Sequence, residues 1–321
     1  MSALRSLELA SSDMVDLRQV DSAALAPLLE EETQVWKDTL DWDFSRSAEL
    51  VRRFIELRGL DGYALLREGA VAGYTYSIYE DHKALIGDLY IRARFRSARD
   101  ENRLLEQALR SLAWVPRISR VESQLMMISA AAGELPFADR LSRFDRGFMM
   151  LELEAARLAP RRPRASIGIM PWREAHEPAA AELIAAAYVG HVDSLINDQY
   201  RSLPGARQFL SNIVQYPGCG QFFRPGSFTA LNAASGRMCG ISLASLVAAR
   251  TGHITQLCVD PAERGAGLGY ELLRLSLEAL RRAGCRRVSL TVTSSNQEAV
   301  RLYEQTGFRT IRTFSACVWE I

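Results

Sequence analysis

The stretch ITQLCVDPAERGAGLGYELLRLSLEALRRA, residues 254–283, joins an apolar strand to an amphipathic helix through three glycines in five residues. The strand reads to Val259 and Pro261 stops it. The helix reads from near Tyr270, with Leu272, Leu273, Leu275, Leu277 and Leu280 on its apolar side and Gly284 just past its end. Between them lies Arg264-Gly-Ala-Gly-Leu-Gly269. Glycines allow the backbone to turn tightly with its N–H groups pointing inward, and those amides together with a helix N-terminus form a site for a phosphate or pyrophosphate. Two phosphate loops are disfavoured. A P-loop needs Lys-Ser/Thr after its last glycine, where Tyr270-Glu271 stand, and the dinucleotide fingerprint needs a glycine where Tyr270 is. Arg-x-x-Gly-x-Gly, met by Arg264, Gly267 and Gly269, remains.

Further along, after the strand RRVSLTV (286–292), comes SSNQEAVRLYEQTGF, residues 294–308. Asn296 opens a helix there, Ala299 and Leu302-Tyr303-Glu304 follow, and Gly307-Phe308 close it. The glycine loop and this second signature, in this order and at this spacing, resemble the acyl-coenzyme A site of the GCN5-related N-acetyltransferases (GNAT superfamily). The resemblance covers about residues 166–321.

That resemblance implies acetyl-CoA as acyl donor and a primary amine as acceptor, joined by direct attack. Backbone groups of Leu257, Cys258 and Val259 would pair with the pantetheine arm. Amides of Arg264, Gly265, Ala266, Gly267, Leu268, Gly269 and Tyr270 would hold the pyrophosphate. Asn296 would contact the pantetheine region, and Tyr303 would protonate the departing thiolate. The residues themselves agree, because aminolysis of a thioester needs a proton for the leaving sulfur and a hydroxyl on a helix can supply it. Many relatives carry a glutamate on the strand before the loop. Here that strand has His253, Thr255 and Gln256, so His253 is the candidate base, with water carrying the proton as the alternative. The acceptor site is expected in YVGHVDSLINDQY (188–200), where His191, Asp193, Asn197, Asp198 and Tyr200 concentrate polar groups suited to an amine.

The sequence reads as one plan used twice. GYALLREGAVAGYTYSIYE (62–80) parallels SFTALNAASGRMCGISLASLV (227–247), each two strands about a turn, at Glu68-Gly69 and Ser235-Gly236. Strand, helix and strand then follow in both copies, as DLYIRA (88–93), Asn102–Trp114 and SRVESQLMMI (119–128) in the first. Aligning Ile91 with Val259 puts Arg99 and Glu101 where Gly267 and Gly269 stand, and LPFADRLSRFDRGF (135–148) lacks the Leu-Tyr pair. The first copy is therefore expected to bind no coenzyme. The fold class is α/β (α+β), with two tandem GNAT-like domains, each a mixed twisted sheet flanked by helices. The expected division is a degenerate domain over 1–158, a linker over 159–165 within the proline- and arginine-rich AARLAPRRPRAS, and a catalytic domain over 166–321. One intact coenzyme site in a two-copy layout also resembles the mycothiol synthases. A non-catalytic acyl-CoA sensor is the competing class.

Composition sets outer limits. The 321 residues suit about two domains, and 48% hydrophobic with 24% charged residues is ordinary for a globular chain. A net charge of +1 argues against a nucleic-acid partner. It divides unevenly, about −5 over 1–158 and about +6 over 159–321. No apolar run approaches the ~20 residues of a membrane span, and MSALRSLELASSDMVDLRQ does not read as a secretory leader. Five cysteines, all after residue 218, show no CxxC or Cys/His spacing. Reduced thiols, a cytoplasmic setting and no metal are expected. Acceptor identity, acyl length and oligomeric state are not set by the sequence.

Overall fold

A computed structural model describes residues 13–128, 135–161 and 164–321. Residues 1–12, most of the stretch assessed as a leader, and Arg162-Pro163 of the expected linker lie outside the described residues. In chain order the elements are β1 (Met14–Asp16), α1 (Ser22–Leu40), α2 (Ser45–Glu56), β2 (Asp61–Arg67), β3 (Ala70–Glu80), β4 (Lys83–Ile91), α3 (Ala98–Leu112) and β5 (Arg120–Gln124). After β6 (Leu141–Glu152) come β7 (Ile167–Pro171), α4 (Glu177–Ala187), α5 (Asp193–Ile196), α6 (Leu203–Gln215), β8 (Gln221–Phe222), β9 (Phe228–Asn232) and β10 (Met238–Ala248). The chain closes with β11 (Thr251–Val259), α7 (Leu268–Arg282), β12 (Arg287–Thr293), α8 (Gln297–Thr306) and β13 (Arg309–Glu320).

Two compact units result. The first is Met1–Phe144 with Phe314–Ile321, and the second is Asp145–Thr313. The first unit's sheet runs β1-β2-β3-β4-β5-β13, antiparallel except for the parallel β4–β5 pair. The second runs β6-β12-β11-β10-β9-β7, with β8 also on β10, and is antiparallel except for the parallel β11–β12 pair. Both are mixed sheets with helices packed on them, as the sequence plan indicates. The repeat is visible in the register: Ile91 pairs with Gly73 and Val259 with Gly240. The parallel ladders end at Ile86↔Ser123 and Ile254↔Leu290, equally far before those two residues.

The compact division does not follow the expected boundary. The strand at 141–152 crosses from one unit to the other, and residues 159–165 fall inside the second unit. From Arg146 to Glu152, β6 pairs antiparallel with β12. From Ala316 to Glu320, β13 pairs antiparallel with β5. Each sheet thus takes a strand from sequence assigned on pattern alone to the other copy. Trp319, fully buried, packs with Leu104, Leu109 and Val121 of the first unit, and its indole N–H donates to Pro136 O at 2.8 Å. Met149 and Leu151 pack with Leu277, Leu280, Val288 and Leu290 in the second. Each such large apolar side chain contributes about 1.5–3 kcal/mol of transfer free energy, so the borrowed strands belong to the cores they complete.

Helix starts differ from expectation for a local reason. The third helix begins at Ala98 rather than Asn102, because Ser97 in extended conformation caps it, its Oγ accepting from Asp100 N–H at 3.1 Å. The seventh begins at Leu268, two residues early, from Gly267 in the left-handed region. All five cysteines are free, and among the described residues no helix is long and apolar enough to cross a membrane.

Candidate active site

The site starts from a break in the second unit's sheet. In β11 the antiparallel ladder to β10 slips between Ala244↔Ile254 and Leu243↔Gln256, leaving Thr255 as the extra residue of a bulge. A bulge sharpens local twist. Past Ile254 no pairs join β11 to β12, while β12 continues on β6 to Thr293. The two parallel strands splay, and the β12-facing edge of residues 255–259 is left without a strand partner. A cleft of about 490 Å³ opens there.

One wall is the strand end, Leu257, Cys258 and Val259. The floor is the glycine loop. Gly265 (φ +76°) and Gly267 (φ +82°) hold conformations that side-chain-bearing residues rarely adopt. Gly267 precedes the seventh helix and offers no side-chain cap, so the first-turn N–H groups stay available to an anion. Arg264 fixes the loop from behind, its guanidinium donating to Val259 O and Ala187 O, both at 3.2 Å. Gly265, Gly267, Leu268, Gly269 and Tyr270 line the cleft, whereas Ala266 does not.

The facing wall is α8, carrying Ala299, Leu302 and Tyr303. Asn296 caps this helix through Oδ1, which accepts from Ala299 N–H at 3.3 Å. Tyr303 is 8% exposed. Burial and the negative charge of Asp193 push its phenol above the ordinary value, with Arg146 acting oppositely. It therefore stays protonated and able to donate.

The segment expected to meet the acceptor divides. His191 lines the cleft. Its Nδ1 accepts from Asp193 N–H at 3.1 Å, and its Nε2 lies 3.2 Å from Asn296 Nδ2. The Asp193 carboxylate accepts from the Thr293 hydroxyl at the end of β12. Three other candidates serve the local fold. Asn197 Oδ1 caps Gln199 N–H at 3.0 Å, Asp198 opens the single turn 198–201, and Tyr200 is stacked at 4.3 Å on Tyr188. Tyr188, which sequence reasoning passed over, lines the cleft, and its hydroxyl accepts from Gln256 Nε2 at 2.8 Å. Tyr188 falls at a helix end with no local pattern to mark it. Arg161 and Arg301 also line the cleft and went unremarked.

His253 does not fit the role of base. It lies within β11 rather than at its end, 6% exposed, 2.9 Å from Ser289 Oγ and stacked near Phe148. It is not among the residues lining the cleft. Burial, assisted by Arg146, drives its pKa down to about 3, so it is neutral and a weak base near neutral pH.

The first unit keeps the splay but not the loop. Ser97 Oγ occupies the Asp100 N–H at the start of α3, and the Asp100 carboxylate accepts from Arg67 at 2.9 Å and Arg103 at 3.0 Å. Where the seventh helix presents open amides, the third presents its own acid and an ion-pair network.

Residues 192–308 match the model of the acetyltransferase (GNAT) family. A mycothiol acetyltransferase of Streptosporangium roseum is 47% identical over 57 residues, 18% of this chain and 17% of that protein. The chain matches about a fifth of the length of such curated relatives. Two solved structures share the fold along nearly the whole chain. A GCN5-related N-acetyltransferase from Sphaerobacter thermophilus gives a TM-score of 0.68 at 19% identity and covers 96% of both chains. A tandem GNAT protein from the clavulanic acid biosynthesis pathway gives 0.62 at 17% identity and covers 96% of this chain and 98% of that one. The matched region contains both the glycine loop and the helix of Tyr303, which face each other across the cleft between the splayed strands: it is residues 192–308 that match the acetyltransferase (GNAT) family.

Proposed function

We propose that the second unit transfers an acetyl group from acetyl-CoA to a primary amine by direct attack. The observation that carries this reading is that an uncapped helix N-terminus behind two left-handed glycines opens into the same cleft as a buried, protonated tyrosine. The loop amides from Arg264 to Tyr270 take the pyrophosphate. The unpartnered edge of Leu257, Cys258 and Val259 takes the amides of the pantetheine arm as an added strand. That alignment brings the thioester toward Tyr303 and Asn296.

In the reaction the acceptor's ammonium first gives one proton to water, and the neutral amine nitrogen then attacks the thioester carbonyl carbon. The new C–N bond forms, the C–S bond breaks, and the electron pair leaves on sulfur. Tyr303 gives its proton to that thiolate, and the proton lost by the amine passes to water and restores the phenol. The buried His253 takes no part. His191, with Asp193 beside it and Thr293 fixing the carboxylate, faces the acceptor end. An anionic carboxylate there suits an ammonium-bearing acceptor. The mycothiol acetyltransferases among the relatives favour a small-molecule acceptor.

The test follows thiol release from acetyl-CoA across a panel of amines, with wild type and Tyr303→Phe. Wild type should turn over with at least one amine. Tyr303→Phe should lose about 10²-fold or more in kcat with little change in coenzyme affinity. Coenzyme binding without turnover on any amine would instead favour an acyl-CoA sensor.

A further inference from the structure

Residues 153–161, which lead into the stretch that reads as a linker, are bound along the seventh helix. Near that helix's C-terminal end, Arg281 donates to Leu153 O and, at 2.9 Å, to Ala156 O. At its N-terminal end the Tyr270 hydroxyl donates to Ala159 O at 2.9 Å. Next, Arg161 N–H donates to Glu271 Oε2 at 3.0 Å. Glu271 is nearly buried; burial would raise its carboxyl, but Arg274 and the Arg161 amide hold it below its ordinary value, as a fixed anion. These anchors bring the Arg161 side chain over the glycine loop. Its Cδ is 3.9 Å from where a Cβ would stand on Gly267, and its guanidinium carbon is 4.7 Å from the centre of the Tyr270 ring.

We infer that Arg161 binds the 3′-phosphate of the coenzyme, so that this residue is part of the binding site; the inference rests on the acyl-CoA reading above. Three observations carry it. Arg161 lines the same cleft as the loop glycines. Among the described residues no carboxylate pairs with its guanidinium, whereas Arg164 pairs with Glu263 at 3.2 Å and Arg264 is committed to two carbonyls. The guanidinium also lies over the Tyr270 ring beside Gly267, and with the pyrophosphate assigned to the loop amides the 3′-phosphate is the coenzyme's remaining phosphate for it to meet. Loop amides and a helix end offer about half a positive charge, enough to share a pyrophosphate. A phosphomonoester carrying nearly two charges calls for a full cation, and a planar guanidinium can engage two of its oxygens at once.

Calorimetric titration of the full chain with CoA and with 3′-dephospho-CoA tests this, for wild type, Arg161→Ala and Arg161→Lys. Wild type should prefer CoA by about tenfold, and Arg161→Ala should weaken CoA by about that factor while leaving dephospho-CoA unchanged. Arg161→Lys, which keeps the charge but not the fork, should retain part of the preference. An unchanged preference in Arg161→Ala, or equal weakening of both ligands, overturns the inference. If wild type binds neither ligand, the acyl-CoA reading itself falls. Thermal melts of each variant show whether a loss reflects binding or folding.

Discussion

Asp88 on β4 and Glu32 on α1 bring two carboxyls together in the interior of the first unit, 5% and 0% exposed. Asp88 Oδ1 accepts from Leu89 N–H at 2.7 Å, and Glu32 Oε2 accepts from the Tyr74 hydroxyl at 2.9 Å. Tyr76 and Trp36 face the same pocket of charge. Burial pushes Asp88 up to about 6, and burial together with the Asp88 charge raises Glu32 well above its ordinary value. The folded state therefore holds protons that the unfolded chain releases near pH 4. The resulting stability is complete below that pH and is lost as pH rises through about 6. Asp88→Asn keeps the acceptor for Leu89 N–H and gives Glu32 a neutral donor. Its melting temperature should exceed that of wild type by a few degrees at pH 8, and the gain should vanish near pH 4. Parallel melting curves at both pH values would show that the pair does not share protons. Sequence alone could not flag this pair, because its members are 56 positions apart and each sits in an unremarkable amphipathic pattern.

At the scale of elements, the third and seventh helices occupy corresponding places and differ in what their first turns offer. One is closed by Ser97 and by Asp100 held between two arginines; the other is opened by Gly267. One coenzyme per chain is therefore expected by titration. Gly267→Glu should reduce the stoichiometry to zero, since it strains a positive φ and drives an anion into the loop proposed to hold the pyrophosphate. A residual single site in that variant would move the binding to the first unit. This contrast was legible in the sequence, because glycines at a strand-to-helix turn and charged residues at the matching positions are local signals. The cap by Ser97 was partly hidden, since Ser97 becomes a cap only once the helix is known to start four residues earlier than its apolar pattern suggests. The place of Arg161 was not legible: its anchors are Tyr270 and Glu271, more than a hundred residues on, and nothing near it announces them. His253 misled for the opposite reason. A histidine early in a strand looks exposed until the neighbouring strands are known to cover it.

For the whole molecule, the two-copy plan was legible from matching strand pairs and turns, while the crossing strands were not. An alternating segment declares that it is a strand but not which sheet receives it. Removing residues 314–321 tests the assignment of the last strand. It deletes Cys317, Val318 and Trp319, all buried, from the first unit. Loss of one buried tryptophan side chain alone costs about 3–5 kcal/mol. A chain ending at Thr313 should lose or lower by more than 10 °C one calorimetric transition, yet bind coenzyme within a few-fold of wild type. Unaltered melting would show that this strand contributes little to the first unit. The same exchange has a temporal side. Synthesis proceeds from the N-terminus, and the second unit is one uninterrupted length of chain, whereas the first waits for residues 314–321, whose partners on β5 were made about 200 residues before. Pairing at such separation is slow and leaves a strand edge open meanwhile. The unit that is begun first is thus completed after the second, and it depends on protection from aggregation until residues 314–321 have been made.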